Sequence, residues 1–133
     1  MKKIIIMVIL LFSSTAHAGI FDGTWDEKNT ALHVPLTLTL LVDLGQTLYN
    51  VDKYYQYDGW GKNGEYHAET NSVLGKRPNK EKVYAYFMGA WGLITATTWK
   101  LDPGWSHAFQ GSVITFELNV IDGNIALGAK VEF

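Results

Sequence analysis

The chain has no cysteine among its 133 residues. That absence excludes disulfide staples and a lipidated N-terminal cysteine. No basic tract occurs either, which argues against nucleic acid as a partner. Neither a Gly-x-Ser-x-Gly elbow nor a phosphate-loop lysine pattern is present. His33, His67 and His107 are widely separated and none sits at metal-ligand spacing on a helix, so no metal and no cofactor is expected. Charge is missing altogether from Val83 to Trp99.

What is present begins with a targeting pattern. Lys2 and Lys3 form a basic start, Ile4 to Phe12 an unbroken apolar run, and Ala16-His17-Ala18 a small-x-small cleavage site. Nine apolar residues are too few to span ~30 Å of hydrocarbon as a helix, so residues 1–18 are expected to be a secretory signal peptide. Cleavage after Ala18 leaves 115 residues starting at Gly19, enough for one domain. Without Lys2 and Lys3, nine basic residues face thirteen acidic ones, a net of about −4. A small exported domain without disulfides needs another source of stability, and burial in lipid or in a partner is one.

Three stretches then read as able to cross a bilayer. Ala31 to Val51 is apolar except for Asp43, Gln46 and Asn50, which with Thr47 recur at helical spacing on one face. Pro35 is expected near the start of that helix, where proline is tolerated. Val83 to Trp99 carries Ala85, Gly89, Gly92 and Ala96 as a small-residue stripe of the kind that lets transmembrane helices approach closely, here expected to pack within the chain. Trp105 to about Leu127 holds Glu117 and Asn124 on one face, Asn119 and Asp122 on another. The expected fold class is therefore all-α: a three-helix transmembrane bundle after an N-terminal signal peptide. Residues 19–133 form one membrane-embedded domain with spans at about 31–51, 83–99 and 105–127 and a loop at 52–82.

Charge placement orients the bundle. With the mature N-terminus exported, the loop carrying Lys53, Lys62, Lys76, Arg77, Lys80 and Lys82 faces the cytoplasm, and only Lys28 and Lys100 lie outside. Tyr49, Tyr54, Tyr55, Tyr84, Tyr86 and Phe87 gather near the inner boundary, Trp99 and Trp105 near the outer one. The bacterial cytoplasmic (inner) membrane with a cytoplasmic C-terminus is the expected location. The bilayer and a membrane-protein partner are the expected surroundings.

A carboxylate near a bilayer centre is unfavourable by roughly 2.5–3.5 kcal/mol, so such groups face a bundle interior. If the segment from Glu69 to Gly75 folds back against the helix ends, then Asp43, Gln46, Thr47, Glu69, Asn71, Glu117 and Asn124 meet in one buried polar cluster. That cluster reads either as an interhelical hydrogen-bond network that fixes register or as a proton, ion or small-ligand site. Gly75 is expected to take a positive φ, and Asn79 to cap the second helix with Glu81 in its first turn. A competing architecture rests on the C-terminus, where Ile125, Leu127, Ala129, Val131 and Phe133 alternate as in a small outer-membrane β-barrel. A soluble helical domain is a third architecture.

The residues also resemble a family. Asp43-Leu44-Gly45-Gln46-Thr47, Glu69-Thr70-Asn71-Ser72-Val73-Leu74-Gly75-Lys76-Arg77-Pro78, Tyr86-Phe87 and Asn124 with Gly128 are similar to D-x-G-Q-T, E-T-N-P-x-L-G-x-x-P, Y-F and a late Asn. That is the pattern of small uncharacterised bacterial and phage multi-pass membrane proteins. Ser72 stands where the family has proline, and the stretch from Thr47 to Glu69, with Gly59-Trp60-Gly61, is longer than the family's. The resemblance covers residues 40–133 and implies a helical membrane bundle without implying an activity. The expected function is that of a small integral membrane protein acting as an accessory or interaction component. The alternative is an intramembrane enzyme or proton/ion-coupled component using Asp43, Glu69 and Glu117.

Overall fold

The computed structural model describes residues 25–54, 69 and 71–133. The expected signal segment 1–18 with its cleavage site, and about half of the 52–82 loop including Tyr55, Trp60, Lys62, His67 and Thr70, lie outside the described residues. Within them every regular element is helical: α1 (Glu27–Lys53), α2 (Lys80–Lys100) and α3 (Pro103–Ala126). The C-terminal alternation forms no strand, because α3 continues through Ile125 and Ala126.

α1 and α2 each start where a side chain satisfies a first-turn N–H group, and α3 starts at a proline. The Asp26 carboxylate accepts the Asn29 N–H at 2.7 Å, and Glu27 follows in the first turn. This cap starts α1 earlier than the apolar run alone suggests. Pro35 therefore lies well inside the helix and not near its start, leaving one intrahelical hydrogen bond unmade. Asn79 caps α2 by accepting the Lys82 N–H at 2.9 Å, with Glu81 in the first turn. Leu101 and Asp102 alone join α2 to α3, and Pro103 opens α3 at a position that needs no N–H donor.

At 1.5 Å per residue the helices are about 40, 32 and 36 Å long, each sufficient for ~30 Å of hydrocarbon. By length and composition together, one described helix, α1, is apolar enough to cross a membrane, a test that the buried core helix of a soluble protein also passes. In α2 the many Gly, Thr, Tyr and Trp residues lower the mean hydropathy, and in α3 the amides, hydroxyls and acids do so.

α1 is the central helix. Leu36, Leu40, Leu44, Leu48 and Val51 recur three or four residues apart and are buried against Val83 and Phe87 of α2 and against Tyr54 and Leu74. Cross-helix bonds then define direction and register. Asn29 pairs with Ser106 and Gln110, and Gln46 with Ile121 and Asn124, so α1 and α3 run parallel. Trp91 and Thr95 of α2 reach Thr37 and His33 of α1, and Lys80 pairs with Asp52 at 2.6 Å, so α2 runs antiparallel to both.

Polar side chains are buried beside this apolar core: Asn29, His33, Gln46, Gln110, Ser106, Thr98 and Glu117 are buried, while Leu38, Met88, Leu93, Leu118 and Ile125 face outward. The small-residue stripe also faces outward, which corrects an expectation. Ala85, Gly89, Gly92 and Ala96 are all exposed, and a Cβ built on Gly89 or Gly92 meets nothing within 4 Å. The stripe does not pack within the chain because Val83, Phe87, Trp91 and Ile94 occupy the face of α2 turned to α1.

The C-terminus folds back. Gly128, at φ +82°, ends α3 in the left-handed conformation, with its N–H on the Ile125 carbonyl. The tail then returns along α1, where the Glu132 N–H reaches the Gly45 carbonyl at 3.1 Å. Gly45 permits this approach: a Cβ there would stand 2.6 Å from Val131 Cγ1.

Candidate functional site

Two polar regions lie between the helices at different levels. The one near the helix starts of α1 and α3 is compact. Asn29 Oδ1 accepts from Ser106 Oγ at 2.8 Å and from Gln110 Nε2 at 2.9 Å. His33 lies between Gln110 Oε1 and Thr95 Oγ1, each 3.2 Å from a ring nitrogen. Gln110 Oε1 can only accept, so in the neutral imidazole Nδ1–H donates to it and Nε2 accepts from Thr95. Trp25 packs edge-on against His33 and donates its indole N–H to Thr30, which encloses the group from above. At the mouth of this region His107 Nε2 lies 3.0 Å from Asp26 Oδ1. The Asn29 N–H foremost, and then His107, hold the Asp26 carboxyl below its ordinary value.

The second region is open. A cavity of about 620 Å³ lies between the three helices toward their other end. Asp43, Thr47 and Asn50 line it from α1, and Tyr86, Phe87, Ala90 and Ile94 from α2. Val113, Phe116, Glu117, Val120 and Asn124 line it from α3. The segment after the undescribed part of the loop closes the remaining side with Glu69, Asn71, Ser72 and Leu74.

Local chemistry explains how that segment gets there. Glu69 Oε1 accepts the Asn71 N–H at 2.9 Å, Asn71 Oδ1 accepts the Val73 N–H at 3.0 Å, and the Gly75 N–H closes a turn on the Asn71 carbonyl. Gly75 sits at φ +76°, a conformation that favours glycine. The Glu69 N–H also meets the Lys76 carbonyl. Leu74, buried in the apolar core, anchors the turn against the helix ends.

Six of the seven residues expected in a polar cluster thus line one cavity: Asp43, Thr47, Glu69, Asn71, Glu117 and Asn124. The seventh, Gln46, lies behind them. Asn124 Nδ2 is shared between Asp43 Oδ1 and Gln46 Oε1, 3.1 Å from each, and Gln46 Nε2 points to the Ile121 carbonyl at 3.5 Å. Glu117 and Glu69 both lie close enough to Asp43 for like charges to repel. Glu117 is the outlier: it is 8% exposed, and its Oε2 is buried with no hydrogen-bond partner.

The compact region was not anticipated from the sequence. Its signal was there, since His33, Thr37, Ser106 and Gln110 are polar positions in otherwise apolar runs. They were not joined because nothing in a linear pattern says that α1 and α3 run parallel. Ser72 and Tyr86 are further cavity residues that only the fold reveals, and Asn50 joins them from the polar face of α1. Comparison of this chain with protein-family models, curated proteins and solved structures finds no match.

Proposed function

We propose that this chain is a small multi-pass membrane protein of the bacterial inner membrane. Three helices cross the bilayer after an N-terminal signal peptide, and it serves as an accessory or interaction component whose polar groups are kept inside. One observation carries the reading: buried amides, imidazole and carboxylate combined with outward-facing Leu38, Met88, Leu93, Leu118 and Ile125. In water that distribution forfeits burial of apolar surface. In lipid it is favoured, because the buried amides and the imidazole find partners across the helices and the outward apolar side chains meet hydrocarbon.

The ends of the bundle support the same reading. Lys53 lies over the Tyr54 ring at 4.7 Å at one end, and Lys100 over the Trp99 ring at 5.5 Å at the other, as expected of side chains anchored at two interfaces. Lys53, Lys76, Arg77, Lys80 and Lys82 share the end that also holds the C-terminus, which the positive-inside rule assigns to the cytoplasm. The likeness to small bacterial and phage membrane proteins points the same way and leaves the activity open.

Carbonate extraction tests this directly. The processed chain should stay with membranes after a carbonate wash and require detergent to remain monodisperse. Release into the wash as a monodisperse protein would overturn the proposal. A reporter fused after Phe133 should be active only in the cytoplasm, and activity outside would refute the orientation.

A second reading is favoured by the unpartnered Glu117 Oε2 beside Asp43: the cavity is a working site of an ion-coupled or enzymatic component. Asp43→Asn and Glu117→Gln separate the two. Both variants should assemble in either case, but only under the second reading should they abolish the activity.

A further inference from the structure

The cavity beside Asp43 carries more information than its acidity. Its volume of about 620 Å³ falls in the range of sites that enclose drug-sized molecules. Asp43, Glu69 and Glu117 contribute negative charge, and no lysine, arginine or histidine is among the described residues that line it. Glu117 supplies an independent observation, since it lines the cavity while only 8% exposed and its Oε2 is buried without a partner. A buried carboxylate oxygen left without a donor is strongly unfavourable, and an incoming cation would relieve it.

The alternatives fit less well. An anion is repelled by all three acids. A bare metal ion would leave most of the volume empty, and among the described residues no three His, Cys, Asp or Glu side chains are close enough to hold one. A neutral apolar molecule would leave Glu117 unanswered. The walls meanwhile ask for apolar surface: Leu40, Phe87, Ile94, Val113, Phe116 and Val120 face the same space.

We propose that this cavity binds an organic monocation with a hydrophobic body, its charged centre between Asp43 and Glu117 and its apolar groups against Phe87, Ile94 and Phe116. Aromatic faces at such a site add to cation affinity. This rests on the reading of the cavity as a working site, and it holds whether or not lipid surrounds the bundle.

Tetraphenylphosphonium and tetraphenylborate have the same shape and opposite charge, so together they isolate the electrostatic part of binding. Equilibrium dialysis of the full chain in detergent should show saturable phosphonium binding, with borate weaker by at least about tenfold. Glu117→Gln should weaken the phosphonium by a similar factor. Ala90→Phe, which fills the cavity without touching a carboxylate, should weaken both ions. Far-UV circular dichroism checks that each variant keeps its helices, and if one does not, the phosphonium-to-borate ratio of the native chain decides alone. Equal affinity for the two ions, no saturable phosphonium binding, or unchanged affinity in both folded variants would each overturn the proposal. Failure here is distinct from failure of the membrane assignment. A chain released by carbonate that still prefers the phosphonium loses the bilayer and keeps the site; one retained in membranes that binds both ions alike does the reverse.

Discussion

The two polar regions of this bundle are built from the same kinds of helix positions and reach opposite outcomes. Around His33 and Gln110, amides, hydroxyls and an imidazole meet with matched donors and acceptors, leaving only the neutral Thr98 hydroxyl without a partner. Around Asp43 and Glu117, three acids line the same space, the helices stand apart over a cavity, and a carboxylate oxygen is unanswered. Neutral groups that satisfy one another hold two helices in register. Like charges that do not are kept only where something else completes them, which is why the open region and not the closed one is the place to look for a ligand.

The sharpest way to break this contrast is to remove one group from each region and measure unfolding in detergent. Gln110→Leu strands His33 Nδ1 and removes one donor from Asn29, and should destabilise by about 2–3 kcal/mol. Glu117→Gln removes an unpaired carboxylate and should cause no loss, with a gain of about 1 kcal/mol expected. Equal destabilisation by both would mean that the acidic region is structural as well.

A smaller effect is expected at the boundary between the two behaviours. Asn124 bridges Asp43 and Gln46, so Asn124→Ala should cost about 1 kcal/mol, the modest net worth of a hydrogen bond. Urea or thermal titration of the variant reads this out, and a loss as large as that of Gln110→Leu would place Asn124 with the closed network.

Acid should act at the closed end. The Asp26 carboxyl is held below its ordinary value by the Asn29 N–H and His107, so folding favours its ionised form. Its contribution is complete above the ordinary carboxylate range, near pH 4, and is lost as pH falls through and below it. Melting temperature should therefore drop between pH 5 and pH 3 by more in the native chain than in Asp26→Asn. Parallel curves would show that the cap adds nothing. The smallest expected change is at Gly45, where alanine gains about 1 kcal/mol of helix propensity while displacing Val131. Hydrogen exchange at Glu132 should speed up in Gly45→Ala with little net change in stability; unchanged protection would mean the tail accommodates the methyl group.

Much of this was legible in the chain. Three helices follow from apolar runs of helical length, and Asn79 and Gly75 follow from their neighbours, because caps and left-handed turns are decided within a few residues. The face formed by Asp43, Thr47 and Asn50 was readable for the same reason. The outward position of Gly89 and Gly92 was not, since a small-residue stripe shows that a neighbour fits closely and not which neighbour it is. Pro35 was misplaced because the Asp26 cap, outside the apolar run, sets where α1 begins.

The sequence by itself determined the helical elements, their capped ends and the scarcity of charge along their lengths, all properties governed by bonds between near neighbours. Only the tertiary structure decided that α1 and α3 run parallel, that the turn at Asn71–Gly75 seals one side of a cavity, and that Glu117 faces it unpaired. Those features depend on contacts between residues some fifty to eighty positions apart, where periodicity carries no information and mutual satisfaction of buried groups selects the arrangement.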